Sequence, residues 1–189
     1  MKSLTGNLVC LKLSCEMEKQ MNVSLFQSLY RVENQVLTFE EIIILIRRRR
    51  WTREIMAYRT ALAEGKGEEA RKLKGALPGF TPSGVFRGGH KAQQLQAYSQ
   101  LVGLDFDHVE DLKALIAVFC ALAYTYALFV SPGGKGLKVF VRVDSDAARH
   151  REAYLTVAAF YEKAGGVTSD AKCKDISRCC YVSDDPDAY

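Results

Sequence analysis

Three stretches of the chain carry residues whose types and spacing suit phosphate and metal chemistry. Asp105 and Asp107 flank a single apolar residue in Leu104-Asp105-Phe106-Asp107. Carboxylates two apart on an extended chain point to the same side, and paired oxygen donors of this kind suit Mg²⁺ or Mn²⁺. The second stretch is Ser131-Pro132-Gly133-Gly134-Lys135-Gly136-Leu137-Lys138. Its glycines let backbone N–H groups come close to a phosphate, and Lys135 or Lys138 adds charge. No Gly-Lys-Ser/Thr follows, so it is not the phosphate loop of the nucleoside triphosphatases. The third stretch holds Asp170, Lys174, Asp175 and Arg178, a third acid with a basic neighbour. Metals held by such acids can activate an attacking hydroxyl and stabilise a leaving pyrophosphate. A fourth feature is the run Arg47, Arg48, Arg49, Arg50 and Arg53, suited to sequence-independent contacts with nucleic-acid phosphates. Trp51, inside that run, can stack on a base or pack inward, and packing inward is the expectation.

Each feature also has a bland reading: a solvated strand end, an ordinary hairpin, a solvated helix face. Chemistry is favoured only if the elements bring the stretches together. Leu101–Asp107 reads as a strand and Val109–Ala121 as a helix, with His108 placed to cap it. Tyr126–Ser131 is a strand, Pro132–Gly136 a tight turn and Leu137–Val143 a strand. Ala147–Ala164 is a helix and Arg178–Ser183 a last strand. The order β-α-β-β-α-β predicts an α+β, ferredoxin- or RRM-like sheet core. In that topology the first and third strands are central, antiparallel neighbours, and the fourth lies beside the first. The end of strand one, the hairpin and the start of strand four then share one edge. By the period of two, one face is apolar and takes the helices. The other presents Asp105 and Asp107 beside Lys138 and Arg142, and carboxylates are rarely left there without a partner or a metal.

The N-terminal half is organised differently. Residues 1–20 are poorly patterned, and residues 21–30 resemble a short strand or lead-in. Thr38-Phe39-Glu40-Glu41 has the spacing of a capping box. A helix is predicted from there towards Leu62, with the arginines late in it as the helix dipole favours. Gly65-Lys66-Gly67 breaks it, and a short helix follows through Lys74. Leu77–Gly89 reads as a polar, turn-rich segment. The expected organisation is a 1–20 extension, a basic helical part over 21–97 and the sheet core over 98–189.

Bulk properties set the outer bounds. The 189 residues are 48% hydrophobic and 25% charged, with a formal net charge of +4, enough for one good core and compatible with a nucleic-acid partner. The six cysteines lack a framework spacing and read as reduced thiols. No apolar run reaches the ~20 residues needed to span a bilayer. Leu8–Leu13 is interrupted by Lys12, which argues against a secretory signal. A cytoplasmic protein with no membrane partner is expected.

Taken together, LPGFTPSGVF, YSQLVGLDFDHVEDL, YTYALFVSPGGKGLKVFVRVD, His150 and KDISRCCYVSDDPDAY resemble the VirE N-terminal (virulence-associated E, N-terminal) domain family. That resemblance implies kinship with the archaeo-eukaryotic primase superfamily. It also implies a primase-polymerase-like domain of a mobile-element or phage replication protein, performing metal-dependent nucleotidyl transfer. The implied partners are nucleoside triphosphates, a single-stranded template and a helicase-like domain. Carried over residue by residue, Asp105 and Asp107 match the first motif. Ser131, Gly134, Lys135, Gly136 and Lys138 fall on the nucleotide-binding second motif. Asp170, eight residues before Arg178, matches the third acid and its basic partner, with Asp175 as the alternative, and Lys138 and Arg178 would both face the nucleoside triphosphate. Asp105, Asp107 and Asp170 would then be both catalytic residues and Mg²⁺ or Mn²⁺ ligands. One departure stands out: Lys138 replaces the family's phosphate-contacting histidine, and lysine holds a phosphate only as a point charge. Two other readings therefore stand beside the enzyme: a catalytically weakened nucleotide- or nucleic-acid-binding module preceding a helicase-like domain, and a nuclease or other metal-dependent phosphoryl-transfer domain.

Overall fold

In the computed structural model, residues 20–189 are described; the expected extension up to residue 19, with Leu8–Leu13, lies outside them. The chain begins with a hairpin of β1 (Asn22–Phe26) and β2 (Asn34–Thr38). Three helices follow: α1 (Phe39–Arg47), α2 (Thr52–Ala63) and α3 (Gly67–Ala76). Short strands β3 (Gly79–Thr81), β4 (Gly84–Phe86) and β5 (Leu95–Tyr98) lead to β6 (Leu101–Phe106). Then come α4 (Leu112–Cys120), β7 (Thr125–Val130), β8 (Leu137–Arg142), α5 (His150–Gly165) and β9 (Cys180–Tyr181).

The capping box is formed. The Thr38 hydroxyl accepts from the Glu41 N–H, and the Glu41 carboxylate accepts from the Thr38 N–H at 2.8 Å. The helix it opens does not run to Leu62. It stops at Arg47 because Arg49 adopts a left-handed φ of 59°, with Arg50 N–H donating to Leu45 and Arg49 N–H to Ile46. These are the two bonds of a Schellman stop. Arg49 is held there by ion-pairing to Asp184 at 3.0 Å, and Thr52 starts a new helix. Trp51 is buried at the corner, as its apolar ring requires. The turn-rich 77–89 segment is also more ordered than its composition suggests. It contains β3 and β4, with Phe80, Thr81 and Phe86 buried. Nor does His108 cap the helix after β6: it has φ 54°, and Asp111 is the cap, accepting from the Ala114 N–H.

Strands β6, β8 and β7 form an antiparallel sheet in that order, so the first and third predicted strands are neighbours. The fourth departs from expectation. β9 leaves β6 and pairs antiparallel with β3, Gly79 opposite Tyr181, completing a second sheet of order β2-β1-β3-β9. The βαββαβ core is therefore not closed as a four-stranded ferredoxin-like sheet. The architecture is α+β with antiparallel sheets. The reason is burial. Val182, just beyond β9, is fully enclosed in the core with Phe39, Ile42, Phe80 and Phe140, and its N–H donates to Pro78. The edge of β6 is met instead by the chain before β9, where the Asp170 N–H donates to the Asp105 carbonyl at 2.8 Å.

Two cores result, one on each face of β6-β8-β7. Val102, Leu104, Phe106, Leu137, Val139 and Val141 pack with α4 and α5. Leu101, Ala127, Phe129 and Phe140 point the other way, into the core shared with α1, α2 and the second sheet. The face expected to be open and charged is thus roofed by the N-terminal half. Among the described residues, no helix is long and apolar enough to cross a membrane.

Candidate functional site

Asp105 and Lys138 are directly opposed in the β6–β8 register, on the roofed face. Their side chains form an ion pair between Lys138 Nζ and Asp105 Oδ2, and Asp105 is 8% exposed. Antiparallel pairing at this one register position explains the contact: Cβ atoms of directly opposed residues lie about 5 Å apart. Burial opposes the charge of Lys138, but the groups around it, Cys180 and Asp105 first among them, outweigh that and hold its pKa above the ordinary lysine value. Only one oxygen of Asp105 is accounted for. Oδ1 is fully buried and has no hydrogen-bond partner. A buried carboxylate oxygen left so costs ~1–3 kcal/mol or more, and such groups usually mark an ion or a water.

Asp170 arrives beside it by a short, well-tied segment. The Asp170 N–H donates to the Asp105 carbonyl, and its own carbonyl accepts from Tyr154 at 2.9 Å. Its carboxylate caps the one-turn helix Ala171–Lys174, accepting from the Lys172 N–H. It also pairs with Arg178 at 3.1 Å. Ligand atoms of Asp105, Asp170 and Cys173 all lie within 4.8 Å of one another. Asp105, Lys138, Cys173 and Arg178 line a small cavity of about 30 Å³, room for an ion or a water or two but not for a nucleotide. Burial pushes the Cys173 thiol up to about 11 and that of Cys179 up to about 12, and raises Cys180 further.

The remaining predicted residues fall into three groups. Asp107 lies just past the end of β6 and is exposed; it is close enough to raise Tyr58 and Lys138 electrostatically but stands outside the compact cluster. Asp175 turns away, accepting from Ser177, so the third acid at the cluster is Asp170. The turn from Ser131 to Gly136 closes the β7–β8 hairpin against Asp107. Gly136 fits only without a side chain, since a Cβ there would meet the Phe106 carbonyl at 2.5 Å. The Ser131 N–H donates to Gly136, the exposed Lys135 accepts from the Val109 N–H, and Gly134 takes φ 77°. Lys138 and Arg178, expected to face a triphosphate, are each engaged with an acid. Of the arginine run, Arg47, Arg48, Arg50 and Arg53 are exposed, whereas Arg49 is committed to Asp184.

Two contributors escaped sequence reasoning. Arg59 of α2 donates to the Pro132 carbonyl at 2.9 Å and props the glycine turn from behind. Cys173 joins the acids because Asp170 and Cys173 stand three apart on one helical turn. The Asp-x-x-Cys spacing was the available signal, but a lone cysteine in a polar segment does not announce its neighbours. Elsewhere, His150 is buried between Tyr98, 2.9 Å from Nδ1, and Ser83, and burial lowers its pKa to about 4.

A family model described as BT4734-like, N-terminal domain matches residues 72–189. The matched span holds all three acids, the glycine turn, Lys138 and Arg178, and begins after the arginine run. It also corrects the resemblance drawn from the motifs: the family is not the VirE N-terminal one, and the match carries no link to the archaeo-eukaryotic primases. The five stretches that carried the resemblance did not separate the two families. No curated protein and no solved structure matches the chain.

Proposed function

The chain belongs to the BT4734-like, N-terminal domain family, and within it we propose a divalent-cation-dependent nucleotidyl-transfer site acting on nucleic acid. One observation carries this reading: the buried Oδ1 of Asp105 without a hydrogen-bond partner, on a carboxylate that clusters with that of Asp170. Both carboxylates already have cationic or N–H partners on their other lone pairs, the arrangement that orients metal ligands. Asp105 and Asp170 would hold the cation, with the exposed Asp107 just past the end of β6 adding negative charge. A bound Mg²⁺ or Mn²⁺ would supply Lewis-acid stabilisation of charge on a transferring phosphoryl group. Lys138 and Arg178 fix the two carboxylates and keep their charge compensated. The cavity holds no nucleotide, so the triphosphate lies outside it. There the glycine turn offers close backbone approach, and the exposed Lys135 offers charge.

The test is incorporation of nucleotides on a single-stranded template with Mg²⁺ or Mn²⁺. Asp170→Asn, which keeps the shape of a partly exposed side chain, should abolish turnover while leaving the unfolding transition in place. Full turnover by that variant would sink the proposal. Shortening of a labelled strand rather than its extension would reassign the site to a nuclease.

One observation favours a second reading. Lys138 occupies Asp105 directly, and a lysine that neutralises a catalytic acid suits a binding module without turnover. In that case Mn²⁺ or nucleotide should bind by calorimetry with no incorporation. The nucleic-acid contact in either reading is assigned to Arg47, Arg48, Arg50 and Arg53. Replacing two of them should lower the slope of log affinity against log salt by roughly two; an unchanged slope would leave them as a solvated face.

A further inference from the structure

We propose that Cys173 is a third ligand at the Asp105–Asp170 site, and that the site selects a thiophilic divalent ion of the zinc class over Mg²⁺. This rests on the reading that the two acids share a cation, and it changes what that cation is.

The geometry is built from three independent constraints. The one-turn helix Ala171–Lys174 places Asp170 and Cys173 on one side, with the Cys173 N–H donating to the Asp170 carbonyl at 3.0 Å. The backbone bond from Asp170 to Asp105 locks that turn to the edge of β6. The Asp105–Lys138 pair leaves Oδ1 as the free donor, a buried atom with no partner on a residue only 8% exposed, lining the same cavity as the Cys173 side chain. One carboxylate oxygen of each acid and the Cys173 Sγ lie within 4.8 Å of one another. Two oxygens and a sulfur bound tetrahedrally at ordinary zinc distances would be separated by about 3.5 Å, so closure asks for side-chain shifts on the order of 1 Å.

The donor set decides the ion. Mg²⁺ demands hard oxygen ligands in an octahedron and keeps its waters, which a sulfur donor does not suit. Carboxylate with thiolate suits zinc and its neighbours in the first transition row. As the ion binds, the thiol gives its proton to solvent, and the thiolate takes the third position. Three protein ligands leave a fourth position for water or substrate, the pattern of catalytic rather than structural zinc sites. Lys138 and Arg178, each paired with one of the two carboxylates, become orienting partners.

Co²⁺ titration of the full chain is the test, since a cobalt–thiolate bond gives a near-ultraviolet charge-transfer band that oxygen ligands do not. Binding should produce that band. Stoichiometric Zn²⁺ should erase it and millimolar Mg²⁺ should not. Cys173→Ser should lose the band and bind Co²⁺ about tenfold or more weakly, the scale of losing a metal-site partner, whereas Cys179→Ser should keep it. In the unmutated chain, Zn²⁺ should slow alkylation of Cys173, located by peptide mass. Co²⁺ binding without the band, displacement by Mg²⁺, or unprotected Cys173 would overturn the cysteine ligand and leave an all-oxygen site standing. Absence of any metal binding would overturn both readings.

Discussion

The two faces of the β6-β8-β7 sheet are made by alternate residues of the same strands, yet they do different things. On one face Leu104, Val139 and Val141 meet α4 and α5 in a wholly apolar layer. On the other, Asp105 and Lys138 sit among Phe129 and Phe140 beneath the N-terminal half. The first face is explained by burial of hydrocarbon. The second carries a desolvated ion pair, which hydrophobic residues of similar volume could often replace without loss of stability. A costly pair with one carboxylate oxygen left without a partner is not explained by burial of hydrocarbon, and it is the feature on which the proposed cation site rests.

That contrast can be broken by mutation. Asp105→Ala should cost ~3–5 kcal/mol, because it strands a buried lysine, whereas the double change Asp105→Leu/Lys138→Met should recover most of it. Urea unfolding measures both. A double variant no more stable than the single would mean the pair is structural in its own right. On the opposite face, Leu104→Ala should cost ~2–4 kcal/mol through the cavity it leaves and should leave Mn²⁺ or Co²⁺ binding untouched. Weakened metal affinity in that variant would show that the faces are not independent.

How far the sequence revealed this arrangement follows the range of the interactions involved. The period of two in β6 and β8 placed Asp105 and Lys138 on a shared face, and their antiparallel pairing was legible because only a helix and a hairpin intervene. The capping box at Thr38 was local and equally readable. Three features were not. The stop at Arg49 depends on Asp184, 135 residues away. The departure of β9 depends on Val182 finding a core made by α1 and β3. The entry of Cys173 depends on a backbone bond between segments 65 residues apart, Asp105 and Asp170. Long-range pairing has no local pattern to betray it, so the topology was half legible and the full cluster of Asp105, Asp170 and Cys173 was not.

Two smaller effects sharpen the comparison. His150 lies at the seam where α5 meets Ser83 and Tyr98. Its pKa is lowered by burial to about 4 from 6.5, so the unfolded chain takes up a proton first as the medium acidifies. Stability should therefore be complete above pH 6.5 and fall as the pH drops towards 4. His150→Gln should flatten the denaturation midpoint across that window; an unchanged pH profile would mean the histidine is hydrated. Asp184 acts in the same direction at lower pH: its hydrogen bond and ion pair with Arg49 lower its pKa, so its contribution is lost only as the pH falls below the ordinary carboxylate value. The smallest expected effect is Thr38→Ala, which removes one cap and should cost ~1 kcal/mol by thermal or urea unfolding, with no change in metal binding.

The last residues have a consequence for solubility. Tyr189 exchanges both backbone hydrogen bonds with Leu128, at 3.1 and 2.9 Å, and the Asp185 carboxylate accepts from the Val130 N–H at 2.7 Å. Together they occupy the outer rim of β7, which would otherwise present bare N–H and C=O groups to any passing strand. Residues 185–189 thus act as a gatekeeper against edge-to-edge stacking of copies. A variant that loosens them would be expected to aggregate under conditions where the core is still folded.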